Sequence, residues 1–175
     1  MDSKVLKLES RSFEKLPLGS VKPRGWLHNQ LKIQANGLTG HIDEVWEDLS
    51  NNGWLGGELD GWERGPYYAD GLVPLAYLLE SEELTHKAIH WVDGFLDAQD
   101  ADGWFAPDQV STQVDPDDPW SRYVICKVLR QYYEATQEDR ALDAIVSFAK
   151  YLFEHSEEWE IDAWAEMRWM DLAVE

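Results

Sequence analysis

Three tryptophans stand in glycine-rich stretches: Trp54 within Asn51–Gly57, Trp62 after Gly61, and Trp104 after Gly103. An indole in such a loop suits stacking on the apolar C–H face of a sugar ring, and its N–H can donate to a hydroxyl. The competing structural role is to plug the end of a helical hairpin. Glu63, Arg64, Tyr67, Tyr68 and Asp70 follow at what reads as a helix start, where the positive end of the dipole favours acidic groups. Glu63 and Asp70 have the right chemistry for glycosidic acid/base work, which in a retaining hydrolase needs two groups about 5 Å apart. Seven residues along a helix separate them by roughly 10 Å, so an Arg64 ion pair that holds the loop is the simpler expectation.

Trp120, Arg122 and Arg168 sit at the entrances to later helices. If the hairpins alternate, Arg64, Arg122 and Arg168 become three cationic points at one mouth of the fold; ordinary salt bridges to Asp117, Asp118 or Glu166 are the alternative. The expected substrate-contacting set is therefore Trp54, Trp62, Glu63, Arg64, Tyr67, Asp70, Trp104, Trp120, Arg122 and Arg168, with no catalytic or metal-binding residue assigned. His86 and His90 stand four apart, but HExxH is absent and both face away from the apolar stripe. The acidic runs at 115–118 and 157–158 lack the alternate spacing and glycine of a calcium loop. Cys126 lies on a helical apolar face and reads as core; one cysteine excludes an internal disulfide or a multi-cysteine zinc site within this chain.

The elements that must position these groups are helical. Residues 1–22 read as a mixed lead-in segment, and residues 23–175 as the domain proper. A first helix is predicted from about Pro23, because Leu27, Leu31, Gln34 and Leu38 recur at helical spacing, with Asn36 and Gly37 as its stop. A short helix over 42–49 precedes the loop that carries Trp54. Beyond Pro66, Leu72, Leu75, Leu78 and Leu79 mark one helical face, and Ala88, Ile89, Val92, Phe95 and Leu96 the next, with Ser81 as N-cap. The pattern recurs 54 positions on from the first face, at Cys126, Leu129, Tyr132 and Tyr133. It recurs 56 positions on from the second, at Ala144, Ile145, Phe148, Tyr151 and Leu152. A repeat of about 55 residues exceeds the roughly 34 of tetratricopeptide and 40–47 of HEAT units, and the excess lies in the loops. Short turns at one end and long aromatic loops at the other are what an (α/α) toroid requires; a solenoid is the alternative.

Ala163, Trp164, Met167, Trp169 and Met170 begin a further helical pattern with no glycine cap or return helix after it. The expectation is an all-α chain forming about half of a six-hairpin toroid and truncated at its C-terminus, with self-association through the uncapped last helix as one consequence.

Composition narrows the partners. With 34 Asp+Glu against 15 Lys+Arg the formal charge is −19, which repels phosphate backbones and anionic head groups, so neither nucleic acid nor membrane is expected. Disorder is excluded by 44% hydrophobic residues and 10 tryptophans. The N-terminus has no apolar stretch of signal-peptide length, which as written predicts a cytoplasmic protein. An oligosaccharide or polysaccharide is the expected partner.

Gly53–Gly57, the block Gly61–Leu79 and Asp102–Pro107 resemble the amino-terminal part of the β-L-arabinofuranosidase-like family, glycoside hydrolase family 127 and its relatives. The similarity extends over nearly the whole chain from Leu16 onward, and Trp62–Leu79 is its most specific part. It implies an (α/α) six-hairpin catalytic barrel acting on arabinofuranosides or related plant and microbial glycans. It also implies a glutamate acid/base and a cysteine nucleophile held as thiolate by zinc, on motifs expected beyond this chain, so no cofactor is expected within it. Trp120-Ser121-Arg122 stands where a His-Glu pair is expected, and Arg168 where a histidine is, which points to a divergent branch and a different sugar, an acidic one if the arginines hold it. A polysaccharide lyase or unsaturated-uronyl hydrolase using Asp70 or Asp102, and a non-catalytic carbohydrate-binding scaffold, are the alternatives.

Overall fold

The computed structural model describes residues 12–107, 118–156 and 163–173, the side chains of Ala163 and Trp164 excepted. The acidic runs, apart from Asp118, lie outside these residues. The described chain is all-α: α1 (Trp26–Ala35), α2 (Leu38–His41), α3 (Glu47–Ser50), α4 (Arg64–Leu79), α5 (Glu82–Asp97), α6 (Trp120–Thr136), α7 (Asp139–Glu154) and α8 (Ala163–Ala173). Among the described residues no helix is long and apolar enough to cross a membrane.

Two antiparallel hairpins, α4–α5 and α6–α7, form the body. Ser81 Oγ accepts the Leu84 N–H at 3.4 Å and caps α5, while Leu84, Ala88, Trp91, Val92 and Phe95 bury its apolar stripe. Both tight turns open on a residue in the left-handed region, Glu80 at φ 53° and Gln137 at φ 60°. These turns lie 57 positions apart, so the first helix of the hairpin recurs three residues later than the leucine pattern indicates. That pattern can slip by a turn because it repeats every three to four residues.

Helices α4, α6 and α8 pack each on the next, with α5 behind α4 and α7 behind α6. This alternation of inner and backing helices is that of an (α/α) toroid segment. Helix α6 is central, and Trp120–Cys126 are all buried, so its first two turns are covered on every side. Cys126 sits in that core.

The first part of the chain departs from the sequence pattern. Helix α1 starts at Trp26, three residues after Pro23 and behind the N-cap Gly25 at φ 59°, and buries none of its residues fully; Leu27 and Leu38 are exposed. The helix expected over 42–49 is broken into a 3-10 turn at Ile42–Glu44 and α3, and α2 precedes it. Lys87 ties α2 and the 3-10 turn to α5: its Nζ donates to Gly40 O, Asp43 and Glu44 at 2.8, 3.0 and 2.6 Å.

Glu134 on α6 fastens the lead-in. It accepts from Lys15 Nζ at 3.2 Å, from the Leu18 N–H at 3.1 Å, and from Arg130. Burial pushes its carboxyl up, but these donors outweigh burial and hold it below the usual glutamate range. Its contribution to stability is therefore present above pH about 4.3 and is lost as pH falls through the lower folded value. Glu134→Gln is expected to remove about 1 kcal/mol near neutral pH and to converge with wild type below the folded value. Thermal midpoints from pH 6 to 3 check this, and parallel curves across that range would contradict it.

Candidate functional site

Because α4 and α6 both start where the long connections arrive, their first residues meet at one rim. Trp54 Nε1 donates to Trp62 O at 2.8 Å, and Trp62 Nε1 donates to Asp118 Oδ2 at 3.0 Å. In return, Trp120 Nε1 donates across to Glu63 Oε2 at 2.8 Å, while Asp118 Oδ1 accepts the Trp120 N–H at 3.0 Å. Each helix start thus contributes one indole and one carboxylate to the other. The indole N–H groups of Trp54 and Trp62, expected to meet sugar hydroxyls, are satisfied within the protein, as is that of Trp120.

Next to this rim, between α4, α6 and α8, lies a cleft of about 370 Å³ lined by Tyr67 and Asp70 of α4, Trp120, Tyr123, Val124 and Lys127 of α6, and Arg168 and Asp171 of α8. It falls at the small end of ligand pockets. Tyr67 is its open aromatic, 47% exposed. Trp120, only 3% exposed, forms the floor, with the Tyr67 ring 6.1 Å away, Tyr123 edge-on at 6.4 Å, and the Arg168 guanidinium 5.4 Å over its ring. Asp70 bridges the helices, Oδ2 to Lys127 Nζ at 2.9 Å and Oδ1 to Gln131 Nε2 at 2.8 Å. Asp171 lies 3.8 Å from Arg168.

Burial, and then the Glu63 charge, push the Tyr67 hydroxyl up against the opposing pull of Arg168. Burial, with Asp118 and Cys126, pushes Tyr123 up to about 12. Both phenols stay protonated at neutral pH.

Of the residues predicted to contact substrate, Tyr67, Asp70, Trp120 and Arg168 converge on this cleft, while Glu63 bonds to the Trp120 indole and the half-buried Trp62 to Asp118, neither of them lining it. The rest are placed elsewhere. Trp54 is 1% exposed and packs edge-on against Phe95 at 5.9 Å, a core residue rather than a stacking platform. Trp104, 9% exposed, packs on Tyr151 at 5.1 Å and Phe148 at 5.8 Å. Gly103 permits this: it sits at φ 104°, and a Cβ there would lie 2.5 Å from Ser147 O.

Arg122, 3% exposed, donates through Nε to Phe105 O at 2.9 Å and through Nη1 to Asp118 O at 2.7 Å, beside Trp104 and Trp54. Arg64 turns outward to Asp48 and over Trp46 at 5.5 Å, the loop-holding ion pair. The three arginines therefore do not converge. Asp102 accepts the Trp104 N–H at 3.1 Å and does not line the cleft.

Lys127, Tyr123, Gln131 and Asp171 were not singled out by sequence reasoning. Their signal was positional: Lys127 and Gln131 are polar residues four apart on a helix whose first two turns are buried, and Asp171 follows Arg168 by three. His86 and His90 are exposed on α5.

A cysteine-ligated zinc does not fit the described residues. Cys126, the sole cysteine, is sealed in the core of α6, and no group of three His, Cys, Asp or Glu among the described residues could hold a metal ion.

Residues 14–167 match the family model described as Beta-L-arabinofuranosidase, GH127 catalytic domain. No curated protein matches the chain, and no solved structure does.

Proposed function

This chain belongs to the GH127 β-L-arabinofuranosidase catalytic-domain family, and we propose that the cleft between its α4, α6 and α8 is a sugar-contacting wall. Its function is glycoside-hydrolase-like in general; the cleft, the substrate and the division of roles are our reading. What carries that reading is the convergence of Tyr67, Asp70, Trp120 and Arg168 from three separate helices on one opening. An open tyrosine ring on an aromatic floor gives a C–H stacking surface, and the surrounding ionic groups and protonated phenols give donors and acceptors for hydroxyls.

The lining also bears on substrate charge. Asp70 and Asp171 offset Lys127 and Arg168, so the cleft carries no net cationic field for a uronate, and with Arg64 and Arg122 elsewhere the three-arginine clamp is gone. A neutral glycan fits better. Glu63 and Asp70 are each engaged by a neighbour, so we assign them to positioning and binding and give neither the acid/base role.

Titration of the purified chain with β-linked L-arabinobiose, cellobiose and galacturonate, read by intrinsic fluorescence, tests the proposal. Saturable binding of a neutral sugar is expected, weakened about tenfold in Tyr67→Ala by loss of one aromatic contact. Absence of binding to every sugar, or an unchanged affinity in Tyr67→Ala, would remove the cleft from consideration.

A further inference from the structure

Glu63 does not line the cleft; its carboxylate takes the Trp120 indole N–H at 2.8 Å. Trp120 is almost wholly covered, while the two side chains it supports, Tyr67 and Arg168, are half open to solvent. A ring in that place makes few contacts of its own to a ligand; it sets where the tyrosine ring and the guanidinium stand. The ring's rotation is set in turn at one end by Tyr123 packed edge-on and at the other by this single hydrogen bond, which crosses from the start of α4 to the start of α6.

Resting on the sugar-cleft reading above, we infer that Glu63 is a positioning residue that acts through Trp120 to fix Tyr67 and Arg168, and is neither a sugar ligand nor an acid/base group. The role requires an acceptor oxygen and not a charge, since an indole N–H can also donate, though less strongly, to an amide carbonyl. It is local to one helix pair, because the companion bond from Trp62 to Asp118 holds the same two helix starts together when Glu63 is changed.

That chemistry separates Glu63→Gln from Glu63→Ala. The test uses the full chain, β-linked L-arabinobiose as probe, and near-UV circular dichroism, with Trp120→Phe as reference because phenylalanine has no N–H to donate. Glu63→Gln should keep wild-type affinity and the wild-type aromatic spectrum. Glu63→Ala should bind about fivefold more weakly and lose the same spectral component as Trp120→Phe, and the double variant should bind no more weakly than Trp120→Phe alone.

Two results overturn the inference. Equal loss of affinity in Glu63→Gln and Glu63→Ala would make the charge itself the ligand contact. A lower thermal midpoint in Glu63→Ala with affinity and spectrum unchanged would make the bond structural only. If arabinobiose binds no form of the chain, the sugar reading fails on its own, and the spectrum alone decides: an unchanged aromatic spectrum in Glu63→Ala overturns the positioning role.

Discussion

Arg122→Leu is expected to destabilise the chain by about 3–5 kcal/mol, from two orphaned main-chain carbonyls and two lost cation–π contacts. Substituting both partners of a buried pair by apolar groups is often neutral, but here the acceptors are main-chain carbonyls that remain. Phe105 O and Asp118 O would each lose a donor in the interior, at roughly 1–3 kcal/mol apiece. The guanidinium also lies 4.4 Å from the centre of the Trp104 ring and 5.5 Å from that of Trp54, and each cation–π contact adds about 0.5–2 kcal/mol.

Arg122→Lys keeps the charge but not the fork, so it should fall between the two. Urea unfolding followed by far-UV circular dichroism measures all three. A loss under about 1 kcal/mol in Arg122→Leu would show that water or a neighbour takes over those carbonyls, and that the rim does not depend on this side chain.

What the sequence disclosed and what it hid divide along physical lines. The hairpins were legible because burial on one side imposes helical spacing, and Ser81 announces a cap by its chemistry. The exact repeat was not, because Glu80 and Gln137 take a left-handed conformation that sequence usually signals with glycine or asparagine. The cleft residues on α4 were legible from their cluster at a helix start, whereas Lys127 and Asp171 required knowing which faces of α6 and α8 turn toward α4. Three arginines with one sequence appearance have three fates: outward on the first turn of α4, inward on the first turn of α6, and into the cleft from α8. Only packing decides among them, since the long aliphatic stem can carry the charge either way.

The misreading of the loop tryptophans has a common cause. Glycine beside an aromatic reads in sequence as an open loop, but Gly56 at φ 79° and Gly103 at φ 104° let the chain turn sharply enough to drive the neighbouring indole inward. Gly57 goes further: a Cβ there would lie 2.3 Å from the Asn51 carbonyl, so the loop is folded tightly on itself. Asn52, itself buried, accepts the Trp54 N–H at 3.1 Å and bonds to Asp48 O at 2.6 Å, fixing the loop from inside.

Trp54→Ala is accordingly expected to cost about 3–5 kcal/mol, the range for deleting a large aromatic from a packed core. The removed ring leaves Phe95 without its edge-on partner, Trp62 O without the indole donor, and Arg122 with one ring face fewer. Trp54→Phe should recover part of that loss by filling most of the volume while still lacking the N–H.

The comparison that matters is with Tyr67→Ala. Its ring is nearly half exposed, so its removal should change stability by less than about 1 kcal/mol while weakening sugar binding. Denaturation and arabinobiose titration of both variants give four values, and the expected pattern is crossed: stability falls in one, affinity in the other. If Trp54→Ala instead left the unfolding midpoint in place and abolished binding, the loop would have to open in solution to present its indole. Glycine around Trp54 would then signify a moving loop and not a closed one.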